Sequence, residues 1–559
     1  MMIQETLKKL DTDEAGKLME TLYGAAQAEE NKARYRHVAE GFLKEYGDGD
    51  VLLFSSPGRT EISGNHTDHN HGKVLAGSIN LDCVGAAAKN GTDTVRILSE
   101  TFHQKFIINL KDLKPSREMA GTIDLTKGIL QGFKERGFEI GGFDAFITSN
   151  VISSAGVSSS ASYEMLICAM LNTFFNDGRM NVVDYAHIGK YSENKFWNKA
   201  SGLLDQMASS VGGFTAIDFK DPENILIEKV NFDVTAHGYA LCVVDTGGNH
   251  ADLTNEYALV PKEMKEVAAF FGKEFLRDVD EQEFYDKIGE VRKEAGDRAV
   301  LRAMHFFDDD RLAAQEAQAL RAGDFDSFKE MVIASGRSSF QRLQNVFATI
   351  NPQEQGLSLA LALTEKLLAG EGAWRVHGGG FAGTIQAYVP LDFVPAFKAG
   401  MEALLGEGMC HVVSIRPVGG VQEIEVDVRL ISASNADLNT YIQQGRFRRD
   451  LYYRINPMTL NLPPLSERVE DIPLIVRDVL NRMGGEGVRC TESAMNALAP
   501  TCSVHQLDEA TMAMPITPTR YTYHGAPANR SVCRFASRYA SSSTSAIACT
   551  KKQMPNRLK

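Results

Sequence analysis

The sequence predicts an α+β protein that folds into two or three domains. Its 559 residues exceed the length of one typical domain, and a hydrophobic content of 43% is sufficient for sizeable cores. From about residue 45 to about residue 260, apolar runs typical of strands alternate with helical stretches. Residues 261–369 are rich in charged residues, alanine and leucine, which favours helices, and further strand-like runs follow before residue 420.

The predicted elements follow one another along the chain. A polar, amphipathic helical lead-in is expected over residues 1–45. The apolar run 51–54 predicts a buried strand that ends at Pro57-Gly58, because this pair breaks a strand and starts a loop. The later elements are a helix over 161–175, behind a run of serines, and strands over 143–148, 240–245, 374–376, 384–389 and 411–415.

Composition argues against several classes of partner. The net charge of -13 and the pI near 5.6 disfavour nucleic acid or an anionic membrane as a general partner. No apolar run approaches the length of a membrane span, and the N-terminus lacks the apolar core of a signal peptide, so a cytoplasmic location is expected. The eight cysteines form no paired or Cys/His metal spacing, which indicates neither a disulfide framework nor a zinc site.

A polar segment at residues 57–70 is the most informative part of the chain. It carries an arginine, two histidines, an aspartate and two asparagines directly after the apolar run. Polar side chains crowded at a strand-to-loop junction suit a site that binds hydroxyl groups, whereas the simpler interpretation is a polar surface loop. Two further motifs favour the first interpretation: the serine-rich segment 153–161 and the glycine-rich segment 377–383.

These three motifs, in content and order, resemble those of the galactokinases, which are members of the GHMP small-molecule kinase superfamily. The resemblance covers residues 1–420. It implies a two-lobed GHMP-kinase fold of the α+β class, with an N-terminal lobe over 46–225 that contains a ribosomal-protein-like domain, a C-terminal lobe over 226–420, and the active site between them. The implied reaction is the ATP-dependent phosphorylation of the anomeric hydroxyl of galactose, which gives galactose 1-phosphate and ADP.

The serine-rich motif is expected to hold the nucleotide phosphates. Small residues let the backbone approach a phosphate closely, and the N–H groups at the start of the following helix attract anions. A serine cluster that merely caps the helix is the simpler alternative, and for the glycines of the third motif the alternative is a tight turn. The resemblance assigns ATP contacts to a set of small residues: Ser154, Gly156, Ser158, Ser159, Ser160, Gly379 and Gly380.

A magnesium site is implied by the same resemblance. Ser160 supplies the hydroxyl ligand in this interpretation, with the adjacent Ser159 as the alternative. Glu193 supplies the carboxylate, because it stands twelve residues before Asp205, as the magnesium-binding glutamate of the family stands before the catalytic aspartate. One carboxylate and one hydroxyl are sufficient, since Mg²⁺ prefers oxygen ligands and keeps several waters.

Asp205 is the expected catalytic carboxylate, which either accepts the proton of the anomeric hydroxyl or positions that hydroxyl for attack. A nearby cation must keep it ionised, and Arg59 is the candidate, since a guanidinium stays charged and also stabilises charge on the transferred phosphoryl group. The resemblance assigns the sugar to five residues: Asn65, His66, Asp68, Gly202 and Tyr257.

Position 65 leaves the identity of the sugar open. Most galactokinases carry glutamate where this chain has Asn65, and an amide donates hydrogen bonds where a carboxylate only accepts them. A kinase for a related sugar such as N-acetylgalactosamine is therefore an alternative. A non-catalytic sensor of galactose and ATP is a second alternative, which the complete set of catalytic residues disfavours. The sequence does not predict an oligomeric state.

The sequence after residue 420 resembles a different protein. Residues 421–485 are similar to the second half of the AAA+ domain of bacterial enhancer-binding sigma-factor activators, in which Asn435 would match the sensor asparagine and Arg448 and Arg454 the arginine fingers. The chain contains no GxxxxGK[ST] phosphate loop, so this fragment is not expected to hydrolyse ATP by itself. Residues 486–559 are expected to be a disordered or out-of-frame tail, so that the join is either a genuine fusion or an artefact.

Overall fold

Two sheets and the helices around them make up the part of the chain that the structure describes. The structure is a computed structural model, and it describes residues 3–116, 121–152, 156–199, 201–222, 224–248, 253–420 and 471. The chain divides into two units, Met1–Glu423 and Ile424–Lys559. The predicted AAA+ fragment with Asn435, Arg448 and Arg454, and the predicted tail, lie outside the described residues.

The larger sheet is formed by strands from the first half of the chain: β1 (Leu52–Ser63), β2 (Lys73–Lys89), β3 (Thr94–Ser99), β4 (Gln104–Asn109), β5 (Phe143–Ser149), β6 (Phe214–Asp218) and β7 (Leu226–Val230). The order is β4-β3-β5-β2-β6-β7, and β1 pairs with β2 outside this path. The pair β3–β5 is parallel and the other pairs are antiparallel. The predicted strand over 143–148 is confirmed as β5.

Strand β1 continues through Pro57-Gly58, so the prediction that this pair ends the strand is wrong. The pairing with β2 shifts between Pro57 and Arg59, which places an irregularity of the β-bulge kind at this point. Beyond the shift, the N–H of Arg59 donates to the carbonyl oxygen of Val157 at 3.1 Å. A Cβ at Gly58 would lie 2.7 Å from the same oxygen. The pair therefore lets the strand approach the serine-rich segment without ending it.

Helices cover both faces of the larger sheet. In order along the chain they are α1 (Ile3–Leu10), α2 (Asp13–Tyr23), α3 (Ala28–Tyr46), α4 (Gly121–Glu135), α5 (Ser159–Phe175), α6 (Val182–Phe196) and α7 (Leu204–Val211). The side chains of β5 alternate between the faces, since Phe146 packs with α1–α3 while Ala145 and Ile147 pack with α4–α6. The helical lead-in predicted at the N-terminus thus covers one face of the sheet.

The second sheet belongs to the following part of the chain. It contains β8 (Tyr239–Asp245), β9 (Ala373–His377), β10 (Thr384–Pro390) and β11 (Cys410–Val413), which are antiparallel in the order β11-β8-β10-β9. The helices of this part are α8 (Thr254–Phe270), α9 (Glu281–Asp286), α10 (Ile288–Ala295), α11 (Asp297–Ala322), α12 (Phe325–Ser338), α13 (Gly356–Leu368) and α14 (Val394–Leu405). These bounds confirm the helical prediction for 261–369 and the strands on either side of it.

The predicted α+β class is confirmed, because both sheets are largely antiparallel and carry helices from separate stretches of the chain. Helix α11 packs against β1 and β2 of the larger sheet, which positions the end of β1 and the loop after it. In the ranges that the structure describes, the helices are all too short or too polar to cross a membrane.

Candidate active site

One cavity of about 190 Å³ brings the predicted sugar-binding and catalytic residues together. Its lining comes from β1, the loop after β1, the segment before α7 and the start of α7, α8, and the turn between β9 and β10. These elements are distant in sequence; two of the side chains that meet here are 146 positions apart. The predicted residues in the lining are Arg59, Asn65, His66, Asp68, Gly202, Asp205, Tyr257 and Gly379.

Arg59 and Asp205 form an ion pair at the wall of this cavity. The Nε of Arg59 donates to Oδ1 of Asp205 at 2.8 Å, and a terminal nitrogen of the guanidinium lies 2.8 Å from the same oxygen. Ser158 Oγ donates to Oδ2, and Arg59 also donates to the carbonyl oxygen of Gly156. Burial raises the pKa of Asp205, but Arg59, Lys199 and the Ser158 hydroxyl together outweigh it, so the pKa lies below its ordinary value. The carboxylate is therefore ionised at neutral pH.

The loop after β1, which carries three of the predicted sugar residues, is held by α11. The backbone N–H groups of Gly64 and Asn65 donate to Oδ2 of Asp309 at 3.0 and 2.6 Å. His305 Nε2 lies 2.9 Å from the carbonyl oxygen of Asn65, to which it donates. Both supporting side chains are fully buried. A buried carboxylate that accepts backbone N–H groups keeps the loop in a single conformation.

One ring nitrogen of His66, which lines the cavity, is a hydrogen-bond acceptor. Its Nε2 lies 2.9 Å from the carbonyl oxygen of Gly379, which can only accept, so Nε2 carries the proton. Burial and the neighbouring His69 lower the pKa of His66 to about 4, which keeps the ring neutral. The other ring nitrogen, Nδ1, is therefore an acceptor, and a sugar hydroxyl is a suitable donor for it.

Two glycines give space to two of the predicted sugar-binding side chains, Asp68 and Tyr257. A Cβ at Gly202 would collide with the carboxylate of Asp68, so only glycine lets Asp68 keep its place at the cavity wall. A Cβ at Gly379 would lie 2.5 Å from Cε1 of Tyr257. The hydroxyl of Tyr257 donates to the carbonyl oxygen of Gly380 at 2.7 Å, which orients the ring.

The side chain of Asn65 is bonded within the protein. Its Nδ2 donates to Glu61 Oε1 and to the carbonyl oxygen of Gly378, both at 2.7 Å. Its Oδ1 accepts from Nδ2 of Asn345 at 2.7 Å. The residue is completely buried. Asn65 thus lies at the predicted place, but both of its amide hydrogens are already in use.

The serine-rich segment leads into α5 earlier than predicted. The helix begins at Ser159, two residues before the expected start, because the N–H of Ser162 already bonds to the carbonyl oxygen of Ser158 at 3.0 Å. Ser159 and Ser160 therefore lie in the first turn, and Ser158 precedes it in the left-handed conformation with φ 60°. Gly156 follows the undescribed stretch 153–155, in which the predicted residue Ser154 lies outside the described residues.

Ser160 and Glu193, the predicted magnesium pair, are in contact. Ser160 Oγ donates to Glu193 Oε1 at 2.8 Å, and Lys199 Nζ lies 2.6 Å from that carboxylate oxygen and 3.3 Å from the hydroxyl. A cation therefore already lies beside both oxygens, so this donor set is suited to positive charge and fits Mg²⁺. Within the described residues no group of three or more His, Cys, Asp or Glu could hold a metal. A magnesium ion here would need phosphate or water oxygens as its remaining ligands.

The glycine-rich motif between β9 and β10 contacts two of the other segments. A Cβ at Gly378 would lie 3.7 Å from the carbonyl oxygen of Gly156, in the serine-rich segment. His377 Nε2 accepts from the backbone N–H of Glu61 at 3.2 Å. Gly379 bonds to His66, and Gly380 to Tyr257, as described above. The ATP contacts of these two glycines stay predictions.

Sequence reasoning gave no role to five polar residues that line the cavity: Glu61, His69, Lys199, Ser201 and Gln206. Glu61 stands two positions after Arg59, so the alternation of a continuing strand would have placed both on one face. That signal was hidden by the predicted strand end at Pro57-Gly58. Gln206 directly follows Asp205, and its Nε2 donates to Glu164 Oε2 at 3.0 Å. No pattern in the sequence identified Lys199.

Family comparisons match three parts of the chain. The galactokinase galactose-binding signature matches residues 40–89, and the GHMP kinase N-terminal domain matches residues 124–213. The sigma-54 interaction domain matches residues 310–461. This third match agrees with the predicted resemblance to an AAA+ activator. It begins earlier than residue 421, in a stretch that the structure folds as α11 to β11 of the first unit.

Individual relatives point to one family. The chain is 30% identical to a galactokinase of Streptococcus suis over 401 residues, which are 70% of this chain and 98% of that protein. It is 34% identical to a galactokinase of Clostridium tetani over 182 residues, 33% of this chain and 46% of that protein. The structure of Lactococcus lactis galactokinase in complex with galactose aligns with a TM-score of 0.59 and 25% identity, covering 68% of this chain and 97% of that one. With its sugar-signature residues gathered in one cavity and a relative matched over almost its full length, this chain belongs to the galactokinase family.

Proposed function

We propose that this protein is an ATP-dependent galactose 1-kinase, which converts galactose and ATP into galactose 1-phosphate and ADP. The observation that carries the proposal is the ion pair between Arg59 and Asp205, which lies in the wall of the cavity lined by His66 and Asp68. An ionised carboxylate beside a buried guanidinium can both accept a proton and stabilise negative charge. Those are the two requirements of phosphoryl transfer to a sugar hydroxyl.

Asp205 acts on the anomeric hydroxyl. In the reaction the anomeric oxygen forms a bond to the γ-phosphorus, the bond from that phosphorus to the oxygen it shares with ADP breaks, and the hydroxyl proton passes to Asp205. The low pKa of Asp205 keeps the acceptor ionised before the step. Arg59 holds the carboxylate through two guanidinium nitrogens and keeps a positive charge next to the reacting group.

The sugar is held by groups whose hydrogen-bonding state the protein has already set. His66 offers Nδ1 as an acceptor, and Asp68 offers carboxylate oxygens beside Gly202. Tyr257 contributes its ring to the wall. Acceptors fixed in this way bind the hydroxyl groups of a sugar. When the ligand lacks one of these hydroxyls, the corresponding acceptor stays buried and unpaired, which weakens binding. Asn65 contributes by orienting this wall.

Gly156, Ser158, Ser159 and Ser160 would hold the ATP phosphates, together with Ser154 and the glycines at 379 and 380. The N–H groups of the first turn of α5 are the donors for an anion at this helix start. Ser160 and Glu193 would hold Mg²⁺. ATP supplies the transferred phosphoryl group, and Mg²⁺ neutralises charge on the phosphates.

A coupled assay of ADP release from the full chain tests this proposal. Galactose, N-acetylgalactosamine and glucose are compared at saturating MgATP, beside the variant Asp205→Ala. Turnover with galactose that the substitution abolishes is expected. A folded wild-type protein that releases no ADP with galactose would refute the galactokinase assignment. Faster turnover with N-acetylgalactosamine would replace the sugar but keep the reaction, and ATP binding without turnover of any sugar would favour a sensor.

A further inference from the structure

Glu61 belongs to the lining of the cavity that the proposed function assigns to the sugar. The residue lies on β1 two positions after Arg59, and both side chains belong to the cavity lining. Its Oε1 accepts from Asn65 Nδ2 at 2.7 Å. Among the described residues, no hydrogen bond reaches its Oε2. This second oxygen is therefore available to a ligand in the cavity.

Asn65 cannot take the part that a glutamate at its position plays in most galactokinases. Both amide hydrogens are used, one by Glu61 and one by the carbonyl oxygen of Gly378, and the amide oxygen accepts from Asn345. A sugar hydroxyl could bind this amide only by breaking a buried hydrogen bond, which leaves an unsatisfied group. The amide instead fixes the orientation of the neighbouring carboxyl group.

The surroundings of Glu61 suit a hydroxyl ligand. A terminal nitrogen of Arg375, which is completely buried, lies 3.8 Å from Oε1, and the backbone N–H of Glu61 is held by His377. Burial raises the pKa of Glu61 to about 7, while Arg375, Arg59 and the bond from Asn65 oppose the rise. At neutral pH the group therefore both donates and accepts, and a hydroxyl can pair with either form.

From this geometry we infer that Glu61 is a specificity-determining residue, which binds a non-reacting hydroxyl of the sugar through Oε2, and that Asn65 is the residue that positions it. The carboxyl group that position 65 lacks is thus supplied from position 61, on the same strand-loop segment. The inference rests on the proposed function, since it assigns a ligand contact within the proposed sugar site.

The test compares the wild type, Glu61→Gln and Asn65→Glu with the double variant Glu61→Gln/Asn65→Glu. Each full-length protein is assayed for kcat/KM with galactose and with its 2-, 3-, 4- and 6-deoxy derivatives, and for the KM of ATP. Glu316→Gln is the matched control, because Glu316 is a completely buried carboxyl group outside the cavity lining. Thermal unfolding shows which variants are folded.

We expect Glu61→Gln to lower kcat/KM for galactose roughly tenfold or more, as for the loss of a hydrogen bond to a charged group, with the KM for ATP unchanged. In the wild type, kcat/KM should be lower for one deoxy sugar than for galactose, because the hydroxyl that Glu61 binds is missing. The ratio of the two kcat/KM values should be severalfold smaller in Glu61→Gln. The double variant should recover activity relative to either single variant, because the carboxylate–amide pair is restored in reverse.

An equal loss for galactose and all four deoxy sugars in Glu61→Gln would overturn the inference, because a merely structural role lowers every activity alike. The inference would also be overturned if Glu61→Gln had the turnover of the wild type and the same preference for galactose over each deoxy sugar. That result would leave the kinase assignment in place. If the wild type neither phosphorylates nor binds galactose, measured by isothermal titration calorimetry, the proposed function fails first and the inference fails with it. The three results are therefore distinguishable.

Discussion

Asp205→Asn is the substitution that separates the chemical role of Asp205 from its structural role. The asparagine keeps the size of the side chain and retains an oxygen that can accept from Arg59 Nε, but it removes the negative charge. It also removes the acceptor for the proton of the anomeric hydroxyl. Two effects are therefore expected, one on stability and one on turnover, and their magnitudes differ.

The loss of stability follows from the exposure of the pair. The side chain of Arg59 is 7% exposed and that of Asp205 is 28% exposed. Breaking a fully buried pair costs about 3–5 kcal/mol, whereas an exposed pair contributes at most about 1 kcal/mol. This pair lies between these limits and keeps one hydrogen bond in the variant. The free energy of unfolding should therefore fall by about 1–3 kcal/mol, which leaves the protein folded at 25 °C.

The loss of turnover should be much larger. A positioned general base contributes about 10²- to 10⁴-fold to the rate, so kcat should fall by about that factor. The KM for galactose should change little, because the proton is transferred only in the transition state. The coupled assay of ADP release measures both constants, and chemical denaturation measures the free energy of unfolding.

The control for this experiment is Asp310→Asn. Asp310 accepts from Arg277 at 2.6 Å and lies outside the active-site cavity, so its variant should lose stability without losing kcat. If folded Asp205→Asn keeps more than about a tenth of the wild-type kcat, Asp205 is not the proton acceptor and the mechanism is wrong. If both variants lose kcat equally, the loss comes from destabilisation.

Four further perturbations have expected outcomes. Because burial raises the pKa of Glu61 from 4.5 to about 7 on folding, the unfolded state binds fewer protons than the folded state between these two values. As the pH rises from 4.5 to 7, the free energy of unfolding of the wild type should therefore fall by up to about 3 kcal/mol relative to that of Glu61→Gln, measured by denaturation at a series of pH values. A difference between the two proteins that does not change with pH would contradict the raised pKa of Glu61. Lys199→Met should tighten Mn²⁺ binding severalfold in electron paramagnetic resonance titrations without nucleotide; weaker binding would show that the ammonium supports the metal. Asp309→Asn should raise the KM for galactose roughly tenfold and leave the KM for ATP unchanged, since it disturbs the sugar loop alone; equal changes in both constants would contradict this. Gly58→Ala should lower the free energy of unfolding, measured by denaturation, by about 1–3 kcal/mol. It should also raise the KM for ATP more than the KM for galactose, because the new Cβ would press on Val157 in the serine-rich segment. A change in the KM for galactose alone would contradict this explanation.

The contact between Arg59 and Asp205 could be predicted from the sequence, and it is confirmed at 2.8 Å. The prediction succeeded because the expected catalytic carboxylate required a cation beside it, and an arginine stood in the motif already associated with the sugar. The α+β class could also be predicted, because the strand-like and helical patterns in the first 420 residues are strong and well separated. The end of β1 and the start of α5 were predicted less accurately.

The course of β1 shows why part of the site stayed hidden. A proline followed by a glycine normally indicates a turn. In this protein the strand continues through both residues, because its pairing register with β2 shifts at this point. Once the strand is taken to end at this pair, the alternation that puts Arg59 and Glu61 on one face cannot be applied. The error about a backbone boundary thus concealed a side chain of the active site.

The supports of the sugar loop were hidden for a different reason. His305 and Asp309 lie in α11, where the sequence shows only a charge-rich helix, and a charged residue on such a helix is usually exposed to solvent. Here tertiary packing buries both, and their partners are backbone groups more than 200 residues earlier. A backbone N–H has no sequence signature, so no motif could show this pairing. Under the proposed function, the motif residues therefore determine which groups meet the sugar, whereas α11 determines where they are held, and we expect substitutions in α11 to alter sugar binding without any contact with the sugar.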